Sequence, residues 1–129
     1  MEGANKAMTL GYPVRDDVVY LARKKKKLCM GKLNGYGGRI ENENSFQCMQ
    51  REFFEESGAS VDLGNLSCVG NICFWAGASV IEARLVSKCA IFLIKNWSGD
   101  MVETDEMGPP IEFRIDELPF SEMMAPDHL

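Results

Sequence analysis

Three glutamates and an arginine crowd one short run of this chain, Arg51, Glu52, Glu55 and Glu56 in QREFFEES. On a helix, Glu52, Glu55 and Glu56 stand at i, i+3 and i+4 and share one face. Like charges held this close raise one another's pKa unless water or a cation neutralises them. A hard divalent cation, Mg²⁺ or Mn²⁺, suits such oxygen donors and keeps water positions that substrate phosphates can enter. A metal so placed can neutralise a diphosphate, orient an attacking water and stabilise a leaving oxygen. The other reading is a solvated acidic face with Arg51 as its counter-ion, and the helix alone leaves both open.

The elements around this run must position it. Gly37-Gly38 and a polar turn precede it; Asn44 is a good N-cap with Gln47 three residues on, a capping-box arrangement. Gly58 follows the last turn as a stop. At about 100° per residue, Phe46, Met49, Phe53 and Phe54 form a broad apolar face. The helix is therefore expected to dock by its aromatic side and present its carboxylates outward or into a cleft. Cys48 lies near the acidic side and is not an obvious ligand.

Elsewhere, Ala7–Val14 reads as a strand that Pro13 ends or places at an edge. Arg15-Asp16-Asp17 is a turn signal, and Val18–Ala22 the second arm of a hairpin. Arg23–Lys27 is a run of five cations, either a solvated strand end or a segment with one or two lysines facing a phosphate. Leu28–Gly38 is glycine-rich loop. Leu66–Trp75, Ile81–Ser87 and Lys88–Ile94 read as strands, the last two as one long bent strand or two. Trp97–Gly108 is an acidic loop, Pro110–Ile115 a final strand, and Asp116–Leu118 a helical turn. The expected class is α/β, or α+β by some schemes, on a mixed sheet.

At 129 residues the chain is one domain, 1–129, and its net charge of −5 argues against a dedicated nucleic-acid surface. No apolar run reaches membrane-spanning length. Five cysteines without a CxxC pair, four of them in apolar or patterned runs, read as buried free thiols in a reducing cytoplasm. Oligomeric state, monomer or dimer, is not legible.

Gly37, five residues, Glu43, seven residues, then Arg51-Glu52-Phe53-x-Glu55-Glu56-x-Gly58-Ala59 resembles the Nudix box, with all nine fixed positions filled over 23 residues. KLNGYGGRIE on one side, and TDEM, EFRIDELPF and MMAPD on the other, are similar to the MutT-type branch that removes 8-oxo-dGTP and related oxidised purine nucleotides. The resemblance implies an α/β/α sandwich on a mixed sheet and Mg²⁺-dependent hydrolysis of a purine nucleoside triphosphate to monophosphate and pyrophosphate. Mn²⁺ is the alternative metal, and the partner is a small-molecule nucleotide. It further implies that Glu52, Glu55 and Glu56 hold metal with the Gly37 carbonyl and Glu106, and that Glu56 polarises water. Arg51 and Glu43 would act structurally, and Lys24 would contact phosphate. Thr9, Asn34, Tyr36, Gly37, Gly38, Met124 and Asp127 would line the substrate site, Asn34 and Asp127 reading the base edge.

The chain departs from the family pattern in four places. The turn from Gly38 to Glu43 is one residue short, so the box is satisfied from Gly37. Met124 stands where the branch has a stacking tryptophan, and around MMAPDH the alignment can slide by one, which puts His128 at the second base-reading position. Relatives continue past Leu129 into a further helix and strand. Two alternatives remain at this level: a Nudix hydrolase of ADP-ribose or a dinucleoside polyphosphate, with Phe74, Trp75 and Met107 able to line either pocket, and a nucleotide-binding module without turnover.

Overall fold

A computed structural model describes residues 6–26, 30–77 and 84–123. Six strands and one α-helix are seen among them: β1 (Lys6–Arg15), β2 (Val18–Arg23), β3 (Leu33–Asn34), α1 (Ser45–Ser57), β4 (Leu66–Ala76), β5 (Arg84–Ile94) and β6 (Ile111–Arg114). The strand order is β3-β2-β1-β5-β4, with β6 pairing β2. The sheet is mixed. β1 and β5 run parallel through Thr9↔Ala90 and Gly11↔Phe92, while the other pairings are antiparallel.

The β1–β2 hairpin turns at Asp16-Asp17, with Asp16 left-handed at φ 56°. β1 does not stop at Pro13 but continues to Arg15. The amides of Thr9 and Gly11 point sideways to the carbonyls of Gly38 and Tyr36. Pro13 comes next on that side, beyond the 36–38 segment and before the β2 register at Val14. A missing N–H forfeits nothing there. The segment from 81 to 94 resolves into one strand, β5, over its described part, bulged against β4 near Trp75.

α1 forms where its caps dictate. Asn44 Oδ1 accepts the Gln47 amide at 2.8 Å and Gln47 Oε1 accepts the Asn44 amide at 3.0 Å, while Gly58 closes the other end at φ 81°. Its apolar stripe is narrower than the sequence suggests. Met49 and Phe53 are fully buried in a core with Tyr36, Ala90, Phe92 and Ile94, and Phe46 packs at its edge. Phe54, expected on that face, is 56% exposed; it lies one step past the stripe, on the solvent side.

A smaller cluster of Val19, Leu21 and Leu33 covers the hairpin with Tyr12, Val14, Phe113, Leu118 and Met123. The edge strand β4 is largely uncovered, so Cys68 and Cys73 are exposed, contrary to the expectation of buried thiols; Cys48 and Cys89 are the buried pair. Cys29 lies outside the described residues. No helix among those described is long and apolar enough to cross a membrane. Among the described residues the α-helical layer is α1 alone.

Truncating Phe53 to alanine should cost about 3–5 kcal/mol of stability. Phe54→Ala should change it by less than about 0.5 kcal/mol. Urea denaturation of both variants checks which aromatic belongs to the core.

Candidate active site

The site is built where α1 crosses the Gly37-Gly38 segment. Close backbone approach demands Gly37, while a Cβ on Gly38 would meet only the end of a side chain. A Cβ on Gly37 would lie 2.0 Å from the Thr9 carbonyl oxygen, and one on Gly38 would lie 2.5 Å from the Glu52 carboxylate. The segment is pinned to β1 by the Thr9 amide donating to Gly38 O and the Gly11 amide donating to Tyr36 O. The Gly37 amide is thereby aimed at α1, and donates to Glu56 Oε1 at 2.9 Å.

Arg51 sets the other carboxylates. Its Nε and an Nη donate to the two oxygens of Glu43 at 3.0 and 2.6 Å. The same guanidinium reaches Glu52 at 3.0 Å, Glu55 at 3.3 Å and the Arg39 carbonyl at 3.1 Å. These hydrogen bonds hold the Glu43 carboxyl at a pKa of about 2, far below its ordinary range. Glu52 goes the other way: burial raises it, against the pull of Arg51.

Glu56 is the outlier. It is 8% exposed, and burial pushes its carboxyl up to about 8 despite the Gly37 hydrogen bond; Glu52 and Glu106 push it further, and Lys24 opposes them. The fold therefore brings Glu52, Glu56, Glu106 and Lys24 into one electrostatic neighbourhood. Glu55 is at its rim, with its side chain 48% exposed.

As placed, no group of three or more His, Cys, Asp or Glu side chains among the described residues is arranged to hold a metal ion. Arg51 and the Gly37 amide engage the carboxylates instead. The donor chemistry nevertheless fits a hard cation: clustered carboxylates, two of them raised by burial, offer oxygen ligands to a charge that the protein does not itself supply.

Other residues singled out by sequence fall into distinct places. Asn34 is buried and its Oδ1 accepts the Gly35 amide at 2.9 Å. A bridge between Leu33 and Met123 brings the segment leading to Met124 beside β3; Met124 and Asp127 themselves lie outside the described residues. Thr9 is not brought to a cleft surface. Its hydroxyl is buried under α1, 3.4 Å from both Gly38 O and Cys48 Sγ. The Tyr36 ring is likewise in the core, edge-on to Phe53, and its hydroxyl has no hydrogen-bond partner among the described residues. Phe74 is half-buried on β4 and Met107 is a core residue; the Trp75 side chain is outside the description. Sequence reasoning passed over Thr104, which bonds to the Glu56 carbonyl.

Two relatives decide the family. The chain is 40% identical over 126 residues to the oxidized purine nucleoside triphosphate hydrolase of Danio rerio, covering 97% of this chain and 76% of that protein. The chain belongs to the MutT-type Nudix hydrolases. The Mus musculus protein of the same name is 32% identical over 120 residues, covering 92% of this chain and 72% of that one. Among solved structures, the MutT Nudix hydrolase of Burkholderia pseudomallei superimposes with a TM-score of 0.71 at 21% identity, over 89% of this chain and 87% of that one. No protein-family model matches the chain.

Glu56 makes this Nudix site costly to keep without a cation. Its folded pKa of about 8 exceeds the ordinary 4.5, so between those values the folded state holds a proton that the unfolded chain has released. Stability of the metal-free protein should fall as pH rises from 4.5 towards 8, with no such loss below 4.5. In EDTA, Glu56→Gln should flatten that decline and be more stable than wild type at pH 8 by about 1–3 kcal/mol. Urea midpoints at pH 5 and pH 8 test this; parallel decline in both proteins would contradict it.

Proposed function

We propose that this Nudix hydrolase is a divalent-metal-dependent diphosphatase of purine nucleoside triphosphates, oxidised bases of the 8-oxo-dGTP kind included, releasing nucleoside monophosphate and pyrophosphate. The observation that carries the reading is the buried Glu56 carboxylate, fixed by the Gly37 amide and flanked by Glu52 and Glu106. The names of the two animal relatives support the choice of substrate.

Glu52, Glu56 and Glu106, with Glu55 and the Gly37 carbonyl, would hold Mg²⁺ or Mn²⁺. Bound there, the metal supplies charge neutralisation for the polyphosphate. Glu56 is the general base. The Gly37 amide holds it in a fixed position to accept a proton from water. The proton of the attacking water goes to Glu56, the water oxygen bonds to phosphorus, and a phosphoanhydride bond breaks. Lys24 would face the departing phosphates, a role that its backbone pairing with Met107 supports. Arg51 touches no substrate; it orients Glu52 and Glu55 while Glu43 holds it.

Base choice falls to Asn34, fixed by the Gly35 amide, together with Met124 and Asp127. A side-chain amide that hydrogen-bonds the correct base edge gains less from the wrong one, and that difference discriminates. Thr9 and Tyr36 contribute from behind, Thr9 by supporting the Gly38 carbonyl and Tyr36 by filling the floor under α1.

The test is incubation with Mg²⁺ and a panel of 8-oxo-dGTP, dGTP, dATP, ADP-ribose and a dinucleoside polyphosphate, following the nucleotide products of each by chromatography and pyrophosphate release from the triphosphates. The purine triphosphates should be turned over, and Glu56→Gln should lower kcat by about 10²–10⁴-fold with the fold intact. Near wild-type turnover in Glu56→Gln would refute the assignment of the base. Tight binding of one nucleotide without turnover would make the chain a binding module instead. Asn34→Ala should lower kcat/KM for the purine substrate by about 10–100-fold, with little change in kcat at saturation.

A further inference from the structure

Glu106 sits on a loop, and what fixes that loop to the helix is one side chain with no part in the chemistry above. Thr104 Oγ1 donates to the Glu56 carbonyl at 2.9 Å and accepts the amides of Glu106 and Met107, each at 3.3 Å. A hydroxyl has one donor and two acceptor positions, and all three are used. The Thr104 amide donates to Met107 O at 2.9 Å, and its carbonyl accepts Lys25 Nζ at 2.8 Å. Two residues earlier, the Val102 amide donates to Ser57 O at 2.7 Å. The loop thus supplies donors to carbonyls of the last turn of α1, which a helix end leaves without partners.

The same loop is tied on its other side to the cationic end of β2. The Lys25 amide donates to Glu106 O at 3.0 Å, the Gly108 amide donates to Arg23 O at 2.8 Å, and Lys24 bridges Met107. Lys25 also pairs with Glu103. Thr104 is therefore bonded at once to the main chain of Glu56 and to the amide of Glu106, inside a loop that carries Lys24 alongside.

We propose that Thr104 is a positioning residue of the active site: its hydroxyl fixes Glu106 relative to Glu56, and the loop it latches seats Lys24 beside them. This rests on the function proposed above. Loops are mobile unless their backbone groups are satisfied, and a carboxylate on a mobile loop cannot join two helical ones in a cation site of fixed geometry. A mere loop staple would change stability and leave cation affinity alone.

The decisive comparison is Thr104→Val, which keeps the shape and removes three hydrogen bonds, with Thr104→Ser, which keeps the hydroxyl. Hydrogen exchange at the Glu106 and Met107 amides should accelerate at least tenfold in Thr104→Val and stay within twofold of wild type in Thr104→Ser. Mn²⁺ affinity, read by electron paramagnetic resonance on the nucleotide-free protein, should weaken about tenfold in Thr104→Val and be restored in Thr104→Ser. Thr104→Val/Glu106→Gln should bind Mn²⁺ no more weakly than Glu106→Gln alone, because both changes act through one ligand. Unchanged Mn²⁺ affinity in Thr104→Val, or additive losses in the double variant, would overturn the proposal. Should Thr104→Val lose its folded circular-dichroism signature, Lys25→Met removes the surface tie to the Thr104 carbonyl. It should weaken Mn²⁺ binding two- to fivefold, and no weakening there counts against the latch. These readings need no turnover, so a wild-type protein that hydrolysed no triphosphate would sink the function and leave the latch decided on its own measurements.

Discussion

One guanidinium holds the acidic helix and the loop before it in a single arrangement. Arg51 grips both oxygens of Glu43 and reaches Glu52, Glu55 and the Arg39 carbonyl from the same planar group. A lysine could not do this; only the fork of an arginine presents enough fixed donors. The arrangement has an electrostatic consequence. Arg51 is engaged by Glu43, Glu52 and Glu55, which leaves Glu56 to the Gly37 amide and the distant pull of Lys24. Arg51 sits with Glu43 and Glu55 at one part of the site, while burial raises the carboxyl of Glu56 at another. That difference supports the proposed cation site.

Packing enforces the difference. The glycine segment lies so close to β1 that a Cβ at 37 would collide with the Thr9 backbone, while one at 38 would press on the movable end of Glu52. The Gly37 amide is thereby held on Glu56 Oε1, and Glu56 is buried. Met49 and Phe53, at i−7 and i−3 from Glu56 and so on the same buried side of the helix, fix the rotation that points Glu56 inward. Burying carboxyl groups in this way is a stability cost concentrated at a functional site, offset by the apolar core on the same helix.

Much of this was legible in the residues. The caps Asn44 and Gly58, the hairpin turn at Asp16-Asp17 and the spacing of Arg51, Glu52, Glu55 and Glu56 are local signals, and local hydrogen bonding decides them. The misses share a different cause. Phe54 is as apolar as Phe53, and only the width of the contact with the sheet separates them. Thr9 and Tyr36 belong to the right segments, but which face of the sheet each side chain takes follows from pairing register. Pro13 is tolerated in β1 because of where the 36–38 segment ends. Cys68 and Cys73 are exposed because β4 is the last strand of the sheet. Thr104 carried no signal at all: a threonine in an acidic loop acquires its meaning only when a helix end arrives beside it.

The central claim is that Glu52, Glu56 and Glu106 share one divalent cation while Arg51 stays on Glu43. Anomalous diffraction from a crystal soaked in Mn²⁺ tests it most directly. The account predicts a peak among these three carboxylates and the Gly37 carbonyl, with the Arg51–Glu43 pair unbroken. A Mn²⁺ peak elsewhere on the chain, or none at saturating metal, would contradict it.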